Sequence, residues 1–152
     1  MKFLIVSDSH GDDKAVLDLY KEYPKMDYYL HAGDSQSHPS ALLPFDVIRG
    51  NCDYIDFDDR RLIHTPQGDL LMKHYPNISI EESRKFKFFI HGHTHRYEIR
   101  DNNGLIVICP GSISFPRDDS IGSYAILEVT DSIINIIIYE LETKNILASY
   151  KI

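Results

Sequence analysis

Lys2-Phe3-Leu4-Ile5-Val6-Ser7-Asp8-Ser9-His10 is the stretch whose reading decides the architecture. Residues 3–6 form an uninterrupted apolar run, the pattern of a strand buried on both faces. Gly11-Asp12-Asp13 then opens a helix, with acidic groups where the first turn favours them. Val16, Leu19, Tyr20 and Tyr23 recur at helical spacing, and Pro24 marks the end. Residues 27–32 read as a second strand and residues 45–48 as a third. This alternation predicts βαβ units and a largely parallel sheet.

The second half reads differently. Residues 62–65 and 70–73 flank Pro66-Gln67-Gly68-Asp69, which is hairpin-turn chemistry. A short helix over residues 79–85 leads into Phe88-Phe89-Ile90. Two more hairpins follow, one turning at Asp101-Asn102-Asn103-Gly104 and one at Asp131-Ser132. Residues 145–150 make a final strand. An α/β half followed by hairpins predicts two sheets packed face to face with helices outside. No repeat, linker or low-complexity segment divides residues 1–152, so one domain is expected. Residues 133–138 read as a core strand.

Composition narrows the function. The chain has 152 residues, of which 43% are hydrophobic, enough for a substantial core. The formal net charge is −7 and no Lys/Arg cluster occurs. Both argue against a nucleic-acid partner other than a small cyclic or short nucleotide. Two cysteines, Cys52 and Cys109, make no disulfide framework. The N-terminal apolar run is too short to span a bilayer and lacks a cleavage region. A cytoplasmic protein with no membrane partner is expected.

Seven donor side chains follow in order: Asp8, His10, Asp34, Asn51, His74, His93 and His95. They sit in Ser7-Asp8-Ser9-His10, Gly33-Asp34, Gly50-Asn51-Cys52-Asp53 and Gly92-His93-Thr94-His95, with His74 closing the run Leu70-Leu71-Met72-Lys73. Most follow predicted strands, and ligands at neighbouring carboxyl ends converge on one crevice. On extended backbone, residues i and i+2 point the same way, so Asp8 with His10 and His93 with His95 would each face one side. Two divalent cations carry four positive charges. Asp8, Asp34 and a bridging hydroxide remove three, leaving about one to attract an anion. Ions about 3.5–4 Å apart can clamp a phosphate and acidify the bridging water for attack on phosphorus.

The ordered set D-x-H, G-D, G-N-x-D/E, H and G-H-x-H resembles the calcineurin-like metallophosphoesterases, and most closely their small, cap-less bacterial and archaeal phosphodiesterase branch. The resemblance spans Asp8 to Arg117. It implies the metallophosphatase fold, an αββα arrangement of two mostly mixed sheets with flanking helices. It implies that Asp8, His10 and His95 hold one metal and Asn51, His74 and His93 the other, with Asp34 bridging. Asp34, Asn51 and His95 are then the catalytic groups. Arg117, in Phe115-Pro116-Arg117, is expected to contact substrate phosphate together with Asn51. Asp53 is expected to orient Asn51 or a neighbouring histidine. Mn²⁺ is the first expectation for the metals; Ni, Fe, Co or Zn also suit O/N donors. An open site and a small phosphodiester substrate follow, and the branch's frequent assemblies allow a homo-oligomer.

Three departures stand out. Cys52 occupies the place of a histidine that protonates leaving groups in many members. Tyr75-Pro76 follows His74 where Gly is usual. Cys109-Pro110-Gly111-Ser112 replaces an Asn-Pro-Gly-Ser signature. His31, His38, His64 and His91 have no slot in the pattern and read as structural or surface residues, with His91 close enough to the signature to support it. Cys52 reads as a non-ligand, Cys109 as a packing residue. Ser9, Ser35 and Ser112 lack the base and orienter of a nucleophile. Two other readings remain on the same residues: a non-catalytic scaffold of this fold, and a phosphomonoesterase or nucleotide phosphatase.

Overall fold

The computed structural model describes residues 1–152 and contains two mixed sheets, each with one helix against its outer face. The first sheet runs β11 (Ile146–Lys151), β10 (Ile134–Glu140), β9 (Ser123–Val129), β1 (Lys2–Val6), β2 (Tyr28–His31) and β3 (Asp46–Val47) from edge to edge. β1, β2 and β3 are parallel, while β9, β10 and β11 are antiparallel additions. The second sheet runs β4 (Arg60–Thr65), β5 (Gly68–Lys73), β6 (Phe88–Ile90), β8 (Leu105–Pro110) and β7 (Tyr97–Asn102).

Period-2 alternation assigns side chains to layers. Phe3, Ile5, Leu30, Leu70, Met72, Phe88, Ile90, Ile106, Ile108, Leu127 and Ile136 meet in an 18-residue core between the sheets. Their chain neighbours face outward. Leu4, Val6 and Tyr29 pack with Val16 and Leu19 of α1 (Asp13–Glu22). Leu71, Phe89 and Val107 pack with Phe86, the residue that ends α2 (Ile80–Lys85). The strand read at residues 133–138 supplies Ile134, Ile136 and Ile138 to the central core.

Both helices start where side chains satisfy their free amides. Asp12 accepts from the Ala15 amide, and Tyr23, which precedes Pro24, ends α1. Ser79 and Glu82 form a reciprocal capping box on α2.

The second half departs from a pure hairpin reading. β5, β6 and β8 are parallel, and β7 is displaced to the edge. The reason is burial. β8 is a continuous apolar run with every residue buried, whereas β7 is half-polar and partly exposed. A strand buried on both faces takes an interior position. Parallel strands thus occur in both sheets, and their carboxyl ends meet along one edge of the sandwich. Cys52 and Cys109 are free, and no helix is long and apolar enough to cross a membrane.

Glu82 links α2 to the second sheet through Lys73, 2.9 Å from its carboxylate. The Ser79 amide and the Lys73 ammonium hold its carboxyl below the ordinary 4.5. A depressed carboxyl adds stability that is complete above its ordinary value and is lost as pH falls through the depressed one. Glu82→Ala should therefore lower unfolding free energy by about 1 kcal/mol at neutral pH. The difference from wild type should shrink below the ordinary carboxyl range, as read by urea unfolding at both pH values.

Candidate metal centre

Asp8 and His10 follow β1, Asp34 follows β2 and Asn51 follows β3. His74 follows β5, and His93 and His95 follow β6. The side chains gather at the junction of the two sheets, but not from extended backbone as expected. Asp8, His10, Asp34, His93 and His95 have φ of 52°, 44°, 55°, 66° and 57°. This is the left-handed region, which non-glycine residues seldom enter. Backbone hydrogen bonds hold the strained turns together: Asp8 to the Gly33 carbonyl, His10 to that of Asp34 and Gly11 to that of Ser35.

Two donor groups result. In the first, His95 Nε2 lies 3.2 Å and His10 Nε2 4.0 Å from Asp8 Oδ1, and the two imidazole nitrogens are 3.5 Å apart. In the second, Asn51 Oδ1 lies 3.0 Å from His74 Nε2 and 2.9 Å from His93 Nδ1. Asp34 Oδ2 stands between them, 3.4 Å from His74 Nε2 and 4.0 Å from His10 Nε2. His93 and His95 therefore serve different groups rather than facing one side together.

Each surrounding contact leaves the inward atom free. The Nδ1 of His74, His95 and His10 lies 2.7 Å from the Ala32 carbonyl, the Phe115 carbonyl and Gln36 Oε1 respectively. A proton on Nδ1 leaves the Nε2 lone pair facing the cluster. Asp8 Oδ2 accepts from the Ser7 hydroxyl and the His93 amide, yet Oδ1 is wholly buried with no hydrogen-bond partner. A buried orphan carboxylate oxygen is costly unless a cation compensates it. Together with O/N donors, it fits a hard or borderline divalent metal.

The electrostatics agree. Burial pushes the Asp8 carboxyl up, but the His95 and Ser7 contacts and the nearby His74 outweigh it and hold it low. Burial likewise raises Asp34, and contacts from His74 and the Cys52 amide bring it down to about 2. His93 is lowered by burial and by His74. Burial and the adjacent Asp34 raise the Cys52 thiol.

Other expectations resolve in detail. Asp53 orients neither Asn51 nor a histidine. Its carboxylate accepts from the amides of Asp34, Gln36 and Gly50 and from the Ser35 hydroxyl. It clamps the backbone that carries Asp34. A glycine is required at position 50 because an added Cβ would overlap Asp34. Cys52 Sγ lies beside His10 and Asp34, and its amide donates to the Asp34 carboxylate. Arg117 is exposed and forms no ion pair; its amide donates to the His95 carbonyl. Ser112 is structural, donating to the Asp8 carbonyl and accepting from the Phe115 amide.

His31 is fully buried on Ser9, and burial lowers it to about 4. His91 lies 3.7 Å from Glu98 and makes no hydrogen bond to a candidate ligand. His38 caps a 3₁₀ turn, and His64 pairs with Asp69 at the surface. Sequence reasoning missed Ser7 and Gln36. Ser7 had a signal in its adjacency to Asp8; Gln36 had none, since its contact with His10 spans 26 residues.

Residues 1–132 match the calcineurin-like phosphoesterase superfamily domain. The chain belongs to that superfamily. It is 31% identical to the probable metallophosphoesterase YsnB of Bacillus subtilis over 155 residues, covering 92% of this chain and 91% of that protein. Among solved structures, Yfce, a phosphoesterase from E. coli, superposes with a TM-score of 0.81 at 20% identity, covering 99% of this chain and 98% of that one. Entamoeba histolytica Vps29 complexed with Zn²⁺ superposes at 0.75 and 20% identity, covering 100% and 98%. Membership implies a metal-dependent hydrolase of phosphoric esters, and this metallophosphoesterase carries donor clusters of that kind.

Asp53→Ala removes the clamp without touching a donor atom. It should weaken metal binding roughly 10–100-fold, the range for residues that support ligands. Titration calorimetry of metal-stripped protein with Mn²⁺ would read the loss; unchanged affinity would show that the turn holds without Asp53.

Proposed function

We propose that this metallophosphoesterase is a phosphodiesterase that works with two divalent ions. The observation that carries the reading is the position of Asp34 Oδ2 between the Asp8/His10/His95 group and the Asn51/His74/His93 group. One carboxylate shared by two donor sets is the arrangement a dinuclear centre requires. Mn²⁺ is the metal we would try first, with Ni, Fe, Co and Zn compatible with the same donors. Such ions supply positive charge for a phosphoester and generate a nucleophile from water near neutral pH.

The chain's own residues do the rest. Asp8 and Asp34 would hold the ions, and the carbonyl-bound histidines keep the donor geometry rigid. Asn51 is exposed at the rim, where its amide can meet a phosphoryl oxygen. Arg117, exposed and without an ion pair, is the residue we expect to bind a second one. Position 52 offers a thiol where many relatives have histidine, so good leaving groups are favoured.

The scaffold reading is favoured by one observation, full-length superposition on Vps29. The donor set does not separate the two readings, since that Vps29 is itself complexed with Zn²⁺; turnover does.

Hydrolysis of bis(p-nitrophenyl) phosphate by metal-stripped protein tests the reading. Added Mn²⁺ should restore turnover in wild type but not in Asp34→Ala. Faster hydrolysis of p-nitrophenyl phosphate would favour a monoesterase, and absence of metal binding would favour a scaffold. Cys52→His should accelerate esters with poor leaving groups more than aryl esters. An equal change on both would remove leaving-group protonation as the role of that position.

A further inference from the structure

His31 closes β2, three residues before Asp34, and is not one of the seven candidate ligands. It is wholly buried, yet both of its ring nitrogens are engaged. The Gly33 amide donates to Nδ1 at 3.2 Å, and Nε2 lies 2.8 Å from the Ser9 hydroxyl oxygen. An amide N–H can only donate, so Nδ1 carries the lone pair. The proton of the neutral ring therefore sits on Nε2 and is donated to Ser9 Oγ. Burial disfavours the charged ring and lowers it to about 4, so the neutral form is the one the fold holds. This is the opposite tautomer from His10, His74 and His95, whose Nδ1 atoms face oxygen acceptors. With both nitrogens committed, His31 has no lone pair left for a metal.

Its two partners belong to two different ligand turns. Ser9 lies between Asp8 and His10, and Gly33 directly precedes Asp34. The segment around Gly33 also touches both donor groups. The Gly33 carbonyl accepts from the Asp8 amide, and the Ala32 carbonyl meets His74 Nδ1. Gly33 has a φ of 98°, and a Cβ there would come within 2.6 Å of His74 Nδ1. A rotation of this segment would thus shift Asp34 and the carbonyl that orients His74 together. An apolar side chain could fill the space of His31. It could not supply an acceptor to one turn and a donor to the other.

We propose that His31 is a positioning residue for the metal centre, its neutral ring fixing the turn that carries Asp8 and His10 against the turn that carries Asp34. The inference rests on the metal-binding reading of those residues, and not on which ester the centre hydrolyses. Residues that orient ligands from behind typically change metal affinity by 10–100-fold when removed.

Titration calorimetry of metal-stripped variants with Mn²⁺, beside urea unfolding of the same proteins, tests it. His31→Asn sets an amide oxygen near the place of Nδ1, keeping the Gly33 contact but falling short of Ser9. His31→Gln sets an amide nitrogen near the place of Nε2, keeping the Ser9 contact but leaving Gly33 without an acceptor. Each should bind Mn²⁺ about tenfold more weakly than wild type, and His31→Leu, which loses both contacts, up to about 100-fold more weakly. Ser9→Ala should weaken binding as His31→Asn does. Adding Ser9→Ala to His31→Asn should cost nothing further, because both break one contact, whereas adding it to His31→Gln should cost more. Wild-type Mn²⁺ affinity in the variants, with only the urea midpoint lowered, would overturn the inference and leave His31 a packing residue. An equal further loss when Ser9→Ala is added to either variant would overturn it too. If His31→Leu does not fold, the Asn and Gln variants carry the comparison. Mn²⁺ binding that follows this pattern without diester turnover in wild type would sink the phosphodiesterase reading and leave the role of His31 standing.

Discussion

The burial of two carboxylates, Asp8 and Asp34, at the junction of the sheets is the constraint on which the rest depends. Moving an ionised carboxylate out of water costs several kcal/mol unless hydrogen bonds and opposite charge compensate it. The protein supplies part of that compensation. Ser7 and the His93 amide bind one oxygen of Asp8, and the Cys52 amide binds one of Asp34. The other oxygen of each faces imidazole nitrogens, and Asp8 Oδ1 has no hydrogen bond at all. That residual demand is directional, and a divalent cation meets it.

Positioning these donors requires strain. Five of the seven candidate ligands sit in left-handed backbone, at about 1 kcal/mol or more each. The strain persists because neighbouring turns brace one another. The turn after β1 is hydrogen-bonded to the turn after β2 at three successive positions. Asp53 gathers the amides of the Asp34 and Gly50 turns onto one carboxylate. Ser112 and Ser114 tie the turn after β8 to the Asp8-Ser9 backbone. The sheets beneath contribute a rigid base, since their shared core is continuous from β10 to β4. Local strain at the site is thus supported by long-range packing.

Much of this was legible in the sequence. Strand positions followed from apolar runs at Phe3, Leu70 and Phe88, because a period-2 or fully buried strand leaves a local imprint. The helix starts followed from Asp12 and Ser79 for the same reason. The seven donors were legible as a set because their residue types and order are rare in combination. The backbone was not. A triplet such as Asp8-Ser9-His10 carries no local mark of left-handed geometry, and extended backbone was the natural expectation. Nor was the role of Asp53, whose partners at Asp34 and Gln36 lie 19 and 17 residues away.

By itself, then, the sequence determined which elements form and which chemistry is available, since both depend on residue type and short-range periodicity. Tertiary structure decided the backbone that presents that chemistry. The insertion of β8 between β6 and β7 and the left-handed turns that carry Asp8, His10, Asp34, His93 and His95 depend on how the sheets pack. The contact between His93 and Asp8 spans 85 residues. Contacts of that range are set by the mutual burial of two sheets, and no local window of sequence contains them.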